Sequence, residues 1–538
     1  MRSKVPSAPL DSTRGIVDGV RLGGRLSSGG SQVALWAAVT GAGASVMVIE
    51  ILGARVVGPV FGVGLYVWSS LISIALGALA LGYFLGGKLA DRRPNPQLLS
   101  LALGASGIWS ALLPLISSPV LLLVSALGLR LGPLVGSALL FAPVLMVLGM
   151  VGPIAIRLIS STVEHAGSTA GRVFAISTAA SVASALATGF AFIPSFEVNA
   201  IWMGNAAVLL LLAAFGLISR GSKASALSLP LLAGIGLLHS NGDPGPQLRI
   251  IESAESAYAK LAVVEDTSRG SALRLLRANH SFVGAHWVET QEPAFGFLHL
   301  PEAVLLARPL GKTLLALGLG TGSLPMAMSR RGVKTDVVEL DDEVVRLATR
   351  HFGFQASGDV FVEDALTFVR RSSKRYDFIL QDTFSGGDNP EHLLSLEMMQ
   401  QLKARLRPNG ILVLNLVGSD HGALAAVSHA VRKTIGHVFS DVRVFRDGPA
   451  GGAPLHNLLF FASSAPIAFG DFGNFAFEND TCEKLLRGFQ AWETLRTVNQ
   501  AAPLITNDAN PLSRLTIPVS EAFHGVMNQL YPPSFWVH

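Results

Sequence analysis

The clearest chemical signal in the chain is a glycine-rich stretch with an acid after it. Gly318-Leu319-Gly320-Thr321-Gly322 follows one apolar run, and Glu339 ends the next. Glycines permit a tight turn and let a ligand approach the backbone, so Gly318, Gly320, Thr321 and Gly322 are candidate binding positions. The acid stands about 20 residues beyond the loop, the separation at which a carboxylate accepts from both hydroxyls of a ribose. The pattern therefore predicts a nucleoside site.

Two further acids come after apolar runs. Asp364 lies in Glu363-Asp364-Ala365, where its carboxylate could accept a hydrogen bond from an adenine amino group. Asp382 follows Tyr376–Gln381, and we interpret it as a functional acid rather than a helix cap. The chain has no complete phosphate-binding loop of the form G-x-x-x-x-G-K-S/T, and Asp382 has no use in a dinucleotide oxidoreductase. The set fits an adenosine sulfonium nucleoside better.

These residues must be positioned by alternating strands and helices. The spacing of apolar runs predicts an α/β Rossmann-like domain over residues 301–538, with a parallel, doubly wound sheet. Ligands of such sheets bind at the carboxyl ends of the strands, which is where the glycines and acids fall. Shorter alternating strands predict a small β unit over residues 249–300, and residues 241–248 are typical of a linker.

The first half of the chain has the composition of a membrane domain. Half of the whole sequence is hydrophobic and only 14% is charged. Residues 1–31 are predicted to be a disordered basic cytoplasmic tail, and residues 32–240 a multi-span helical domain of six to eight helices. The strong spans are 33–56, 65–88, 98–117, 132–158, 169–195 and 199–219, and the stretches 119–129 and 225–240 are ambiguous.

Basic residues suggest an orientation for this domain. They lie in the tail, at 88–93, at Arg157 and Arg172, and at Arg220 and Lys223. Six spans would place all of them in the cytoplasm together with the C-terminal domain of a multi-pass inner-membrane protein. A span at 225–240 would reverse the side of that domain. Glu50 lies deep in the first span, where a carboxylate forms a buried pair with a group such as Arg55 or serves a substrate.

Composition also argues against some partners. The formal charge is +4, without a basic patch interleaved with aromatic residues, so nucleic acid is not expected as a partner. The single cysteine, Cys482, excludes an internal disulfide and a cysteine zinc site. The histidines have no metal-site spacing, so no metal is expected. The lipid bilayer is the expected partner of the first half, and a homo-oligomer is possible.

Residues 249–517 resemble the polyamine aminopropyltransferase (spermidine synthase) family. The resemblance is carried by Glu255-Ser256-Ala257-Tyr258, the glycine-rich stretch, Val338-Glu339-Leu340-Asp341, Glu363-Asp364-Ala365, the 376–390 segment, Arg407-Pro408-Asn409-Gly410 and Thr506-Asn507-Asp508-Ala509-Asn510-Pro511. The first half is similar to the membrane region fused to such domains in bacteria, through Val48-Ile49-Glu50, Arg55, 82–93 and 148–153.

The resemblance implies a role for each acid. Glu339 would hold the ribose of decarboxylated S-adenosylmethionine, and Asp364, with Ala365 beside it, the adenine. Asp382 would be the catalytic base that takes a proton from a small amine or polyamine acceptor. Tyr258 and Asp388 would lie on the acceptor side. No metal is needed, because the sulfonium already carries the positive charge of the leaving group.

The chain departs from the family on the donor-tail and acceptor side. Thr321 stands where the family usually has an Asp, Ser385 where it has a second acid, and Phe295-Gly296-Phe297 where a Tyr-His-Glu run is expected. The nucleoside half of the site is kept. An S-adenosylmethionine-dependent methyltransferase is therefore the second hypothesis, and a transporter or sensor that binds a nucleoside or polyamine without turnover is the third.

Overall fold

A computed structural model describes residues 29–62, 64–160, 165–219, 247–268, 270–384, 390–448, 454–469 and 480–537. Among them the first half is entirely helical. The helices are α1 (Gly29–Phe61), α2 (Leu65–Arg92), α3 (Gln97–Ser125), α4 (Gly128–Gly149), α5 (Val151–Ile159), α6 (Ala166–Ala187), α7 (Ile193–Ser195) and α8 (Val198–Ile218). A π-helical turn, Thr188–Phe192, joins α6 to α7.

Six of the described helical segments are long and apolar enough to cross a membrane, when α4 continues into α5 and α6 into α7. The ambiguous stretch at 119–129 is not a separate span, because α3 runs unbroken through Pro119 to Ser125. The other ambiguous stretch, 225–240, lies outside the described residues, as do most of the basic tail and most of the linker.

Several of the long helices pack closely against each other through glycines. A side chain at Gly82 of α2 would meet the carbonyl oxygen of Met146 on α4 at 2.2 Å, so the two backbones touch only because glycine stands there. Gly107 of α3 lies in the same way against Leu210 of α8. Small residues that allow such an approach are the common device for packing apolar helices whose outer faces are also apolar.

One end of this helical domain is basic. The end of α2 and its cap bring Lys88, Arg92 and Arg93 to this end, and Nε of Arg157 on α5 lies 3.5 Å from the carboxylate of Asp91 there. Helix α3 begins at Gln97, at the basic end, and α8 runs antiparallel to α3. The last residue of α8, Ile218, therefore also lies at the basic end.

The second half of the chain packs on the opposite end. Arg130 near the start of α4 pairs with Glu521, and the backbone N–H of Val198 at the start of α8 donates to Glu255, with the donor and acceptor atoms 2.6 Å apart. The basic loops and the described residues of the C-terminal domain thus lie at opposite ends of the helical domain, so their position on one side of a membrane stays a prediction. Six helices return the chain to the basic end, whereas the next described residues lie at the other end.

The β unit is a four-stranded antiparallel sheet in the order β1-β2-β3-β4. Its strands are β1 (Leu248–Glu255), β2 (Lys260–Asp266), β3 (Leu273–Ala278) and β4 (Ser281–Trp287). The turn between β3 and β4 is tight, with Asn279 at a φ of 52°. The small antiparallel unit predicted from the alternating pattern is thus present, with a fourth strand.

The α/β domain is an eight-stranded sheet in the order β12-β10-β11-β9-β8-β5-β6-β7. Its strands are β5 (Thr313–Leu317), β6 (Lys334–Glu339), β7 (Val360–Val362), β8 (Tyr376–Gln381), β9 (Leu406–Gly418), β10 (Asp441–Arg446), β11 (His456–Ser463) and β12 (Glu493–Thr494). Its helices are α9 (Pro301–Ala307), α10 (Ser323–Arg330), α11 (Asp342–Phe352), α12 (Ala365–Arg371), α13 (Leu396–Arg405), α14 (Ala426–Gly436) and α15 (Asp480–Gly488).

The sheet is mixed rather than wholly parallel as predicted. β5 to β9 pair in parallel, as helix crossovers require, but β11 runs antiparallel to both β9 and β10. The reason is that no described helix separates β10 from β11, and parallel neighbours need a crossover of a dozen or more residues. Buried apolar layers cover both faces of the parallel part.

The chain then returns to the β unit. After α16 (Leu512–Leu515), α17 (Ile517–Leu530) and α18 (Pro533–Val537) run back over it. Tyr531, Phe535 and Trp536 are buried in one apolar cluster with β2, β3 and β4. This places α17 above the carboxyl ends of the central strands, so the described C-terminal residues form a wall of the site.

Candidate functional site

A cavity of about 390 Å³ opens at the carboxyl ends of β5, β6, β7 and β8. We call it the strand-end cavity. Its walls include the glycine loop 318–320, the acids at 339, 341, 363 and 364, the polar residues 382, 415, 447, 456 and 457, and the apolar residues 282, 283, 295, 297, 384, 523, 526, 527 and 530. The β unit and α17 cover it. The structure thus brings the predicted glycines and acids to one place.

The glycine loop has the backbone geometry that its sequence requires. Gly318 and Gly320 have φ values of 92° and 56°, a region that favours glycine. A side chain at Gly318 would meet the carbonyl oxygen of Asp382, and one at Gly320 the carbonyl oxygen of Val283 at 2.5 Å. The loop is therefore fitted against both β8 and β4, and the cavity lies beside it.

Thr321 does not face the strand-end cavity. Its side chain is buried, its hydroxyl lies 2.7 Å from the hydroxyl of Ser323, and that hydroxyl in turn lies 2.6 Å from Nε2 of His286. The cavity wall includes neither Thr321 nor Gly322. The geometry gives no support to side-chain contact between Thr321 and a ligand, and Gly322 serves the turn and packs against Phe354.

Glu339 ends β6 and is held firmly at the cavity wall. One carboxylate oxygen accepts from the backbone N–H of Leu319 at 2.9 Å, and the other from that of Asp341 at 3.1 Å. Burial raises the pKa of Glu339, and these hydrogen bonds oppose the rise. The carboxylate keeps lone pairs that can accept from the hydroxyls of a ribose.

Asp364 caps α12 at the edge of the cavity. Its Oδ1 accepts from the backbone N–H of Thr367 at 2.8 Å, while Oδ2 lies 3.5 Å from Nε2 of His392. Burial raises the pKa of Asp364, but the bonds from Thr367 and the proximity of His392 outweigh it, so the net pKa is lowered. Ala365, the next residue, also lines the cavity. The acid is both a cap and a cavity residue.

Asp382 follows β8 and lines the cavity beyond the glycine loop. Its Oδ1 accepts from Nδ2 of Asn415 on β9 at 2.9 Å. Burial raises the pKa of Asp382, and the bond from Asn415 opposes this rise without cancelling it. A carboxyl with a raised pKa is better matched to accepting a proton near neutral pH than an ordinary aspartate is.

A chain of polar side chains extends from Asp382 along the cavity wall, and the sequence reasoning missed it. Nδ2 of Asn415 also lies 3.2 Å from Oδ1 of Asn457, and Nδ2 of Asn457 donates to Asp447 at 3.0 Å. Nδ1 of His456 lies 3.3 Å from the same carboxylate. The sequence carried one signal for this chain of side chains, the amide of Asn415 within the apolar part of β9.

The remaining wall is apolar. Phe295 and Phe297 line it from the segment before α9, and α17 contributes Phe523 and Met527. The ring of Phe384, just after Asp382, packs edge to face against Phe523 with centroids 5.3 Å apart. Acidic and apolar surfaces thus face each other across the strand-end cavity.

The other predicted site residues are more scattered. Tyr258 lines the cavity and is 51% exposed, so it lies at the rim. Asp388 lies outside the described residues. Glu50 lies within α1 and is not part of the cavity wall; among the described residues it has no hydrogen-bond or ion-pair partner. The expected pair with Arg55 is absent because Arg55 turns to the β unit instead.

No group of three or more His, Cys, Asp or Glu side chains that could hold a metal ion occurs within the described ranges.

Comparisons with known proteins give one family match and several relatives. The family profile described as "Spermine/spermidine synthase domain" matches residues 301–446. The chain is 37% identical to a polyamine aminopropyltransferase of Vibrio vulnificus over 128 residues, which cover 22% of this chain and 43% of that protein. It is 27% identical to an N-terminal histidine N-methyltransferase of Emericella nidulans over 322 residues, covering 52% of this chain and 56% of the relative. The chain thus spans about half of the length of these relatives.

A probable spermidine synthase from Corynebacterium glutamicum has a similar structure, with 19% identity and a TM-score of 0.41, covering 49% of this chain and 98% of that one. Part of the α/β half of the chain, residues 301–446, is thus similar to spermine/spermidine synthase domains. The relatives include both an aminopropyltransferase and a methyltransferase, which are two kinds of transferase.

Proposed function

We propose that the protein is a membrane-bound aminopropyltransferase that moves an aminopropyl group from decarboxylated S-adenosylmethionine to an amine. The observation that carries the proposal is the charge of the strand-end cavity. Its described lining includes the carboxylates of Glu339, Asp341, Glu363, Asp364, Asp382 and Asp447, and neither Lys nor Arg. Such a wall favours a donor with a cationic sulfonium and a cationic tail, and a cationic acceptor.

The donor's nucleoside would lie between the glycine loop and the acids of β6 and β7. Glu339, fixed by two backbone N–H groups, would accept from the ribose hydroxyls. Asp364 would accept from the adenine amino group, with Ala365 beside the ring. The sulfonium would then stand near Gly318, whose position is set by its close contact with the backbone of Asp382.

Asp382 would act as the base. An acceptor ammonium gives one proton to the carboxylate, and the freed nitrogen lone pair forms a bond to the aminopropyl carbon next to sulfur. The electrons of the broken carbon–sulfur bond go to the sulfonium, which leaves as the neutral thioether methylthioadenosine. The bond from Asn415 would orient the carboxylate. The apolar wall of Phe295, Phe297 and Phe384 would cover the acceptor's carbon chain.

A methyltransferase that uses S-adenosylmethionine is the second candidate, favoured by Thr321. The glycine loop 318–322 contains no acid, so it offers no carboxylate to the aminopropyl amine, and the hydroxyl of Thr321 contacts Ser323 instead. The N-terminal histidine N-methyltransferase relative is consistent with this alternative. Against it, the described cavity lining has neither Lys nor Arg to bind the carboxylate of S-adenosylmethionine.

We propose also that the six apolar helices cross the cell's inner membrane. Large apolar side chains on these helices, among them Leu76, Leu101, Leu123 and Phe190, are exposed and would contact lipid. A small amine or polyamine is the proposed soluble partner. Association with a second copy stays a prediction.

The by-product separates the two enzyme candidates. Purified full-length protein is incubated with each donor in turn, together with a panel of amines. We expect methylthioadenosine from decarboxylated S-adenosylmethionine. Formation of S-adenosylhomocysteine from the intact donor would establish methyl transfer instead, and the absence of both by-products would contradict the transferase proposal and favour a binding domain.

A further inference from the structure

Arg55, near the end of α1, contacts the rim of the strand-end cavity. Its guanidinium donates to two successive backbone carbonyls, those of Ser256 at 3.0 Å and of Ala257. Both belong to the turn between β1 and β2, and the next residue, Tyr258, lines the cavity. A residue of the apolar helical domain thus holds the backbone of a rim segment.

A short series of hydrogen bonds continues from this turn to the ribose acid. The hydroxyl of Ser256 donates to Asp341 at 2.5 Å, and the backbone N–H of Asp341 donates to Glu339 at 3.1 Å. Glu339 in turn accepts from Leu319 of the glycine loop. Arg55 is therefore connected to the proposed nucleoside-binding groups through residues that are all in direct contact.

A second contact from the same helix reaches another part of the wall. The carbonyl of Pro59 lies 3.2 Å from Nδ1 of His280, in the turn between β3 and β4. The ring of His280 is buried between those of His524 and Trp536, each with its centroid 4.3 Å away. Burial lowers the pKa of His280 to about 2, so its ring is neutral and can donate to the carbonyl from Nδ1. Phe282 and Val283, which follow, line the cavity.

The chemistry of Arg55 suits this task. A guanidinium is a planar fork with five N–H donors, and it can hold two carbonyls in one fixed arrangement. A lysine could neutralise nearby acids but could not bridge both carbonyls in the same way. The positive charge also lies close to the acids of the rim.

We infer that the end of α1 completes the nucleoside site, with Arg55 as a positioning residue that fixes the 256–258 turn and, through Asp341, the carboxylate of Glu339. The inference rests on the proposed function only in that the cavity binds an adenosine nucleoside. It gives the apolar helices a role in donor binding besides any role as an anchor.

The test measures nucleoside binding by the full-length protein in detergent, with methylthioadenosine and S-adenosylhomocysteine as calorimetric probes. Arg55→Gln is expected to weaken binding of the nucleoside bound by the wild type about tenfold. Arg55→Lys is expected to recover less than half of that loss. In the transfer assay KM for the donor should rise while kcat stays within twofold, because Asp382 is untouched.

Arg130→Gln is the matched control, since Arg130 also joins the helical domain to the second half, by its pair with Glu521. It should leave the affinity unchanged. If Arg55→Gln binds like the wild type, or if both variants weaken binding equally, the positioning role is overturned.

Ser256→Ala keeps the test decisive if Arg55→Gln does not fold. It removes only the hydroxyl that holds Asp341, and we expect a threefold to fivefold loss of affinity; no loss would overturn the inference. A wild-type protein that binds nucleoside but transfers nothing would contradict the proposed function and leave the inference standing. A wild type that binds neither probe would end both.

Discussion

Asp382 is the residue on which the proposed chemistry depends. The expected effect of Asp382→Asn is a loss of turnover of about 10²–10⁴-fold, the usual contribution of a positioned base. Nucleoside affinity should change by less than threefold, since the donor's ribose and adenine are held by other residues. Turnover by coupled by-product detection and affinity by calorimetry check both parts. Equal activity in the variant would remove the assigned role.

The same substitution should not lower stability. Burial raises the pKa of Asp382, so ionisation is less favourable in the folded than in the unfolded protein. Its contribution to the free energy of unfolding is therefore greatest at low pH and falls as pH rises through the unfolded value of about 3.9. Asp382→Asn is then neutral or stabilising at pH 7. A large drop in melting temperature would mean that the loss of activity reports misfolding.

Asn415 gives a pH prediction at the same scale. The proposed mechanism requires ionised Asp382, so kcat/KM should rise with pH through the raised pKa of this carboxyl group. Asn415→Ala removes the bond that opposes the rise, and hydrogen bonds to charged groups contribute about 1.5–3 kcal/mol. In Asn415→Ala, the acid limb of the pH profile of kcat/KM should therefore move to higher pH by about one unit or more. Asn457→Ala leaves the hydrogen bond from Asn415 to Asp382 in place, so it should move the acid limb less. An unchanged acid limb in Asn415→Ala would contradict the assignment of Asp382 as the base.

At the scale of elements, we expect nucleoside binding to depend on the close contact between the glycine loop and β4. Gly320→Ala would place a side chain 2.5 Å from the carbonyl of Val283, in addition to the strain of a positive φ. Gly332 has a φ of 78° and open space around it, so alanine at this position would add the backbone strain without a steric clash. We expect Gly320→Ala to weaken nucleoside binding about tenfold, ~1.4 kcal/mol, and Gly332→Ala to leave it unchanged. Calorimetry on both variants measures this, and similar affinities would show that the loop does not depend on β4.

Element prediction succeeded where the pattern was local. Runs such as Thr313–Leu317 and Tyr376–Gln381 are buried strands with the bounds that their apolar residues indicate. The direction of β11 could not be read in this way, because parallel and antiparallel neighbours show the same apolar run and differ only in the connection. The single helix across Pro119 was also missed, since proline usually suggests an end to a helix.

At the scale of the whole molecule, charge and packing predict an orientation. The basic end of the helical domain, with Arg92, Arg93 and Arg157, should face the cytoplasm by the positive-inside rule. The α/β domain lies at the opposite end, where Arg130 meets Glu521, and it should therefore face away from the cytoplasm. The donor would have to reach that face.

Cysteine labelling tests this sidedness. In a Cys482→Ser background, Leu310→Cys on the α/β domain, where Leu310 is 87% exposed, should react with a membrane-impermeant maleimide on spheroplasts. Asn95→Cys, in the exposed loop between α2 and α3, should react only after permeabilisation. The reverse pattern would place the catalytic domain in the cytoplasm and contradict the orientation.

The sequence by itself predicted the two halves of the molecule and the strand-end positions of Gly318, Glu339, Asp364 and Asp382, while the spermidine-synthase-like domain was predicted from the resemblance of its motifs. It could do so because apolar periodicity and the order of residues along one strand and its loop are local properties. Only the tertiary structure decided that Thr321 faces away from the cavity and that Asn415 donates a hydrogen bond to Asp382. It also decided that Arg55 contacts the cavity rim and does not pair with Glu50. Each of these depends on which distant segments meet, and contacts between residues 55 and 256 or 382 and 415 leave no periodic trace in the chain.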